Sequence, residues 1–88
     1  MKNSDKILVQ VIFPMLSQKY DFLISSELTV TEAKKEICRE ISDFEKNKSL
    51  FADISGYRLF VSEADDALDE NYSLKEYGIC SGSRLMLV

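Results

Sequence analysis

Carboxylates are the residues of this chain best placed, by number and spacing, to do chemistry. Glu63, Asp65, Asp66, Asp69 and Glu70 fall close together with no lysine or arginine among them. A calcium loop of the EF-hand kind needs oxygens at alternating positions, a central glycine and a closing glutamate, and this stretch has neither that spacing nor a glycine. A solvated loop is the plainer reading, and charge steering of a basic partner the functional one. Cys38 and Cys80 are the only cysteines and are widely separated, which gives neither a zinc site nor a CxxC redox pair. Cys80 has no base or cation beside it in sequence to activate its thiol. The chain contains no histidine, so acid–base work near neutral pH would fall to strongly perturbed carboxylates or lysines held in a cleft. Tyr77 reads as a core or turn-anchoring side chain whose hydroxyl is met by nearby backbone. No glycine-rich phosphate cradle or nucleophile elbow is present. The chain therefore reads as a non-enzyme with no catalytic residue, no cofactor and no metal.

A chain of 88 residues has length for one domain and one modest core, without a second lobe to form a cleft. Its composition, 45% apolar and 30% charged, is that of a folding sequence. A net charge of −4 repels phosphate backbones and anionic headgroups, which points away from nucleic acid and toward a basic protein surface as partner. No apolar run approaches the ~20 residues of a membrane span. The segment 7–13 is interrupted by Gln10 and lacks a cleavage site of small residues, which argues against a signal peptide and for a cytoplasmic protein.

The elements follow from the spacing of apolar residues. Residues 1–6 are polar and aperiodic, a flexible leader before a domain over 7–88. Ile7, Val9, Val11 and Phe13 share one phase of a strand that Pro14 ends, and Tyr20, Phe22 and Ile24 share one phase of a second. Thr29 and Glu32 form a capping-box pattern, so a helix is predicted from Val30. Its stripe is Val30, Ala33, Ile37, Ile41 and Phe44, with Lys34, Lys35, Arg39 and Glu40 turned to water. Leu50, Phe51 and Ile54 are expected to tuck beneath the core. A strand is predicted over 57–61, a brief edge strand at Leu68, a helical turn over 73–79 closed by Gly78, and a last strand over 84–88.

This order resembles the β-grasp of ubiquitin, an α+β fold with a four- to five-stranded mixed sheet and one main helix on one face. The resemblance is carried by residues 24–37, with Thr29, Val30 and Ile37 at capping and core positions, and by residues 67–88. There Ser73-Leu74-x-x-Tyr77-x-Ile79 stands where ubiquitin has its Thr-Leu-x-x-Tyr-x-Ile turn, and Leu85 and Leu87 take its last core positions. The sequence ends at Val88 rather than in a Gly-Gly tail, so covalent modifier and sulfur-carrier chemistry is not expected. The closing stretch, with Leu74, Gly78, Ile79, Gly82, Leu85 and Leu87 at its fixed positions, is similar to that of the YukD-like proteins of Gram-positive type VII secretion systems. That resemblance implies a bacterial adaptor recruited to a membrane component of the secretion machine at the cytoplasmic face. The alternative is a generic ubiquitin-like interaction domain of a larger protein, with a modifier or carrier lacking its tail as the third reading.

Strand alternation supplies the candidate site. With Leu59, Val61, Leu85 and Leu87 inward, Phe60, Met86 and Val88 point outward, and Ile12 joins them from the first strand. Arg58 and Arg84 are placed at the rim. Such a patch marks a protein contact; the other readings are cover by the loop or by a homodimer mate, or scattered surface apolars that serve no function.

Overall fold

Two strands form because apolar residues alternate over their whole length. In the computed structural model, which describes residues 6–61 and 66–88, β1 spans Lys6–Phe13 and β2 spans Gln18–Ser25. Strand β1 thus starts one residue ahead of Ile7, and the rest of the expected leader lies outside the described residues, as do Glu63 and Asp65. Pro14 cannot donate to a ladder and instead opens a 3-10 turn, Pro14–Leu16. Ser17, at φ 54°, then turns the corner in the left-handed region and donates its N–H to the Pro14 carbonyl. The antiparallel pairing runs without a bulge from Lys6 opposite Ser25 to Phe13 opposite Gln18. Ile7, Val9, Val11 and Phe13 face Tyr20, Phe22 and Ile24 from the neighbouring strand, all buried.

The helix α1 spans Val30–Glu45 and begins as its capping box requires. Thr29 Oγ1 accepts from the Glu32 N–H at 3.1 Å, and Glu32 Oε1 accepts from the Thr29 N–H at 3.0 Å. Two further free donors of the first turn go to a distant segment, Val30 N–H to the Tyr72 carbonyl and Thr31 N–H to that of Glu70. Val30, Ala33, Ile37 and Ile41 lie against the sheet, fully buried. Such side chains each contribute about 1.5–3 kcal/mol through removal from water.

Two helix positions depart from the expectation. Lys34 does not face water: its side chain is only 3% exposed, with Nζ donating to Glu70 Oε2 at 2.6 Å and to the Tyr57 carbonyl at 3.0 Å. Phe44 is not core: it is 73% exposed and meets the ring of Tyr20 edge-on at 5.7 Å. The last turn of α1 has reached the outer strand of the sheet, and no described strand lies beyond β2 to cover Phe44.

Leu50, Phe51 and Ile54 are half-buried beneath the core, with Phe51 5.3 Å from the Phe13 ring and 5.0 Å from Tyr57. Strand β3 is Leu59–Val61, shorter than the predicted 57–61, although Arg58 and Val88 extend the pairing by exchanging two backbone hydrogen bonds. The edge strand expected at Leu68 reduces to one bridge between Phe60 and Ala67, with the Leu68 N–H donating to the Leu59 carbonyl. A second reciprocal cap, between Ser73 and Glu76, precedes the Lys75–Tyr77 turn, which Gly78 closes at φ 73°. Strand β4, Arg84–Leu87, then enters the middle of the sheet parallel to β1. The resulting order is β2-β1-β4-β3, four strands with α1 across one face.

Candidate protein-interaction face

The face of the sheet turned from α1 is set by register. Ile12 of β1 lies opposite Met86 of β4, and Met86 lies opposite Phe60 of β3. On the other side of β1, Ile12 lies opposite Lys19 of β2. One row therefore crosses the whole sheet as Lys19, Ile12, Met86 and Phe60, with neighbouring side chains in contact range. Ile12, Met86 and Phe60 are each half-buried because they shield one another, while Val88, one step further along β4, is 50% exposed. The row above it carries Asp21, Gln10 and Arg84.

Among the sequence-predicted residues, Ile12, Phe60, Met86 and Val88 are thus brought together, with Arg84 exposed on one side. Arg58 is exposed opposite Val88, and its charge also reaches Glu70. Alternation alone missed a second apolar pair: Leu8 and Leu23 stand opposite one another on the same face, both exposed. The signal was present, since a hairpin joining β1 to β2 around residues 14–17 fixes which polar-phase residues meet.

Charge on this face runs against that of the molecule. Among the described residues, Lys6, Lys19, Arg58 and Arg84 are exposed on it or at its rim, with Asp21 on it and Asp66 exposed next to Ala67, the bridge partner of Phe60, whereas the whole chain carries −4. Most acids among the described residues lie on α1 and in the loops. Lys19 stands in the apolar row itself, and Arg58 and Arg84 stand beside it.

The perturbed groups lie elsewhere. Burial, then the hydrogen bond and charge of Glu45, push Tyr20 up to about 12. Burial pushes the Cys38 thiol up to about 11, against the pull of Lys34. Glu70 is held below its ordinary carboxylate range, first by the hydrogen bond from Lys34 and in part by Arg58, so this member of the acidic stretch has a cationic partner after all. Asp53 is lowered by hydrogen bonds from Ser55. Asp69 anchors a turn, accepting from the Asn71 N–H, while its own N–H donates to Tyr77 Oη at 2.7 Å. Tyr77 is therefore turn-anchoring and exposed rather than core. Cys80 is exposed, with its N–H bonded to Ser83 Oγ. None of these groups converges on the apolar row. What the row offers is apolar contact area with cations beside it.

The fold that carries this face is the ubiquitin-like β-grasp, a four-stranded mixed sheet with one main helix. Among solved structures, the chain is similar to the ubiquitin-like domain of an Arabidopsis thaliana protein, with 24% identity over 94% of this chain and 76% of that one, at a TM-score of 0.71. The UBL domain of a Plasmodium falciparum protein gives the same identity and TM-score, 24% and 0.71, over 94% of this chain and 96% of that one. Caldiarchaeum subterraneum ubiquitin superposes at a TM-score of 0.70 with 16% identity, over 93% and 90% of the two chains. No family model matches the chain, and no curated protein matches it.

Proposed function

We propose that the protein is a noncovalent, non-enzymatic protein-interaction module that docks through Ile12, Phe60, Met86 and Val88, with Arg58 and Arg84 as rim contacts. The observation that carries this reading is the apolar row across the outer face, flanked by cations on a chain of opposite net charge. The complementary partner is an acidic segment with apolar anchors. A test is amide chemical-shift mapping with two synthetic amphipathic peptides that share leucine anchors but carry glutamates in one and lysines in the other. Shifts confined to β1, β3 and β4 on titration with the acidic peptide, and lost on Phe60→Ser with Met86→Gln, support the reading. A preference for the basic peptide, or shifts on the helix face, overturn it.

Within this class, the closing stretch favours an accessory role in a type VII secretion system, at the cytoplasmic face of the membrane beside one of its components. Each fixed position of that stretch also serves the fold: Leu74, Ile79, Leu85 and Leu87 are buried, and Gly78 and Gly82 have φ of 73° and 96°. Among the described residues no helix is long and apolar enough to cross a membrane, so recruitment there would act through the docking face. Co-purification of a secretion-system component from the native host, abolished by the Phe60→Ser and Met86→Gln pair, is the expected result. Retention of that component by the double variant would remove the role from this face.

A further inference from the structure

Strand β2 lies at the edge of the sheet, and no described strand pairs its outer side. The Gln10 N–H donates to Ser83 and the Leu8 carbonyl accepts from Gly82, so these two residues of β1 turn their backbone groups toward β4. By alternation Ile7, Val9 and Val11 turn theirs toward β2, where their partners are Ile24, Phe22 and Tyr20. The backbone groups of Lys19, Asp21 and Leu23 are consequently aimed outward. Edge strands are commonly blunted by proline, a bulge, charged side chains or a covering loop. Proline and bulge are absent from β2, whose register with β1 is continuous, and its charges, Lys19 and Asp21, are of opposite sign and can pair across a two-fold axis.

Two of the most exposed large apolar side chains among the described residues lie at this same edge. Leu23, 64% exposed, is on β2 itself, whereas the exposed Met15 of the preceding turn has its sulfur against the Tyr57 hydroxyl. Phe44 stands against Tyr20 of β2 on the helix side. From this we infer that two copies of the chain pair through β2, antiparallel about a two-fold axis at Tyr20, to make one continuous sheet.

Charge selects that register from its neighbours. An axis at Asp21 sets two aspartates against each other, and an axis at Phe22 leaves Asp21 opposite Leu23 and Lys19 opposite Ser25. With the axis at Tyr20, Lys19 of each copy lies opposite Asp21 of the other, in the positions where cross-strand pairs interact and where backbone bonds are exchanged. The same axis brings the two Phe44 rings together beneath the paired Tyr20 residues. An interface built from one strand pair and these side chains is small, so its affinity falls toward the weak end of specific association.

The test is sedimentation equilibrium of the full chain from about 10 μM to about 1 mM, the range in which so small an interface is measurable. A reversible dimer is expected. Lys19→Asp and Asp21→Lys, both exposed, should each raise the dimer dissociation constant about tenfold or more by setting like charges opposite one another. An equimolar mixture of the two variants should associate again, since their charges then complement across the axis. Phe44→Ser should weaken the dimer while leaving the far-UV circular dichroism of the monomer unchanged. A chain that stays monomeric across the range, or a dimer indifferent to Lys19→Asp, overturns the inference. A mixture of the variants that fails to associate overturns the register.

Discussion

Removing Glu70 should damage the fold more than removing the lysine it pairs with. Lys34 is buried where α1 meets the segments that carry Tyr57 and Glu70, and Glu70 is 36% exposed. Glu70→Ala leaves an ammonium in place with the Tyr57 carbonyl as its remaining acceptor. Breaking a fully buried pair costs about 3–5 kcal/mol, and since water can reach the Glu70 side here the estimate falls to about 2 kcal/mol. Lys34→Met keeps most of the volume, removes the charge, and lets Glu70 turn to solvent, so its cost should be about 1 kcal/mol or less. Glu70→Ala added to Lys34→Met should then cost almost nothing further. In a domain of this size 1 kcal/mol moves the Tm by about 4–8 °C. Urea denaturation of the four proteins closes a double-mutant cycle in which the damage done by Glu70→Ala disappears in the Lys34→Met background. Equal losses from the two single variants, or additive losses in the double, would refute the argument that the buried charge is what makes the site costly. The pair also sets an acid limit. Because Glu70 is lowered from its ordinary 4.5, its contribution is present above that pH and is lost as pH falls through the lower folded-state value. The wild type should lose stability below about pH 4.5 more steeply than Lys34→Met, read as the urea midpoint against pH.

Other consequences are separable by simple measurements. Thr29→Ala removes one half of the capping box and should cost about 1 kcal/mol in urea denaturation, with far-UV ellipticity lost first in the helix. Gly78→Ala forces a Cβ into a backbone at φ 73° and should cost about 1 kcal/mol, although no atom lies within contact distance of that Cβ, so the penalty should be the same for alanine and serine. Iodoacetamide at neutral pH should label Cys80 in the native protein and spare Cys38, whose thiol is buried and raised to about 11; mass spectrometry of the digested protein reads both. Tyr20 should remain a phenol until the pH approaches about 12, which absorbance titration near 295 nm of the wild type against Tyr20→Phe follows.

The sheet was legible because its information is local. Period-two alternation names the inward residues of each strand, and all those named for β1 and β2 are buried. The same rule, extended to β3 and β4, put Phe60, Met86 and Val88 on the outer face. The helix was less legible, for two different physical reasons. Phe44 has the angular phase of Ala33 and Ile37, but it lies about 4.5 Å further along the axis than Ile41, at the limit of the sheet, and periodicity carries no information about where the surface beneath a helix ends. Lys34 sits within the buried stripe by spacing, beside Val30, Ile37 and Cys38, and was excluded from it only because of its charge. A buried lysine becomes tolerable when a carboxylate and a carbonyl arrive to receive it, and the carboxylate comes from 36 residues away in the chain. The acidic stretch therefore reads as uncompensated in sequence although one of its members, Glu70, pairs with a buried cation. The reversal of charge on the outer face has the same origin: a net charge sums over every surface, whereas a partner meets one. Assigning each charged residue to a face, once alternation has fixed the strands, separates Lys19, Arg58 and Arg84 beside the row from the acids of α1 that weigh in the net charge.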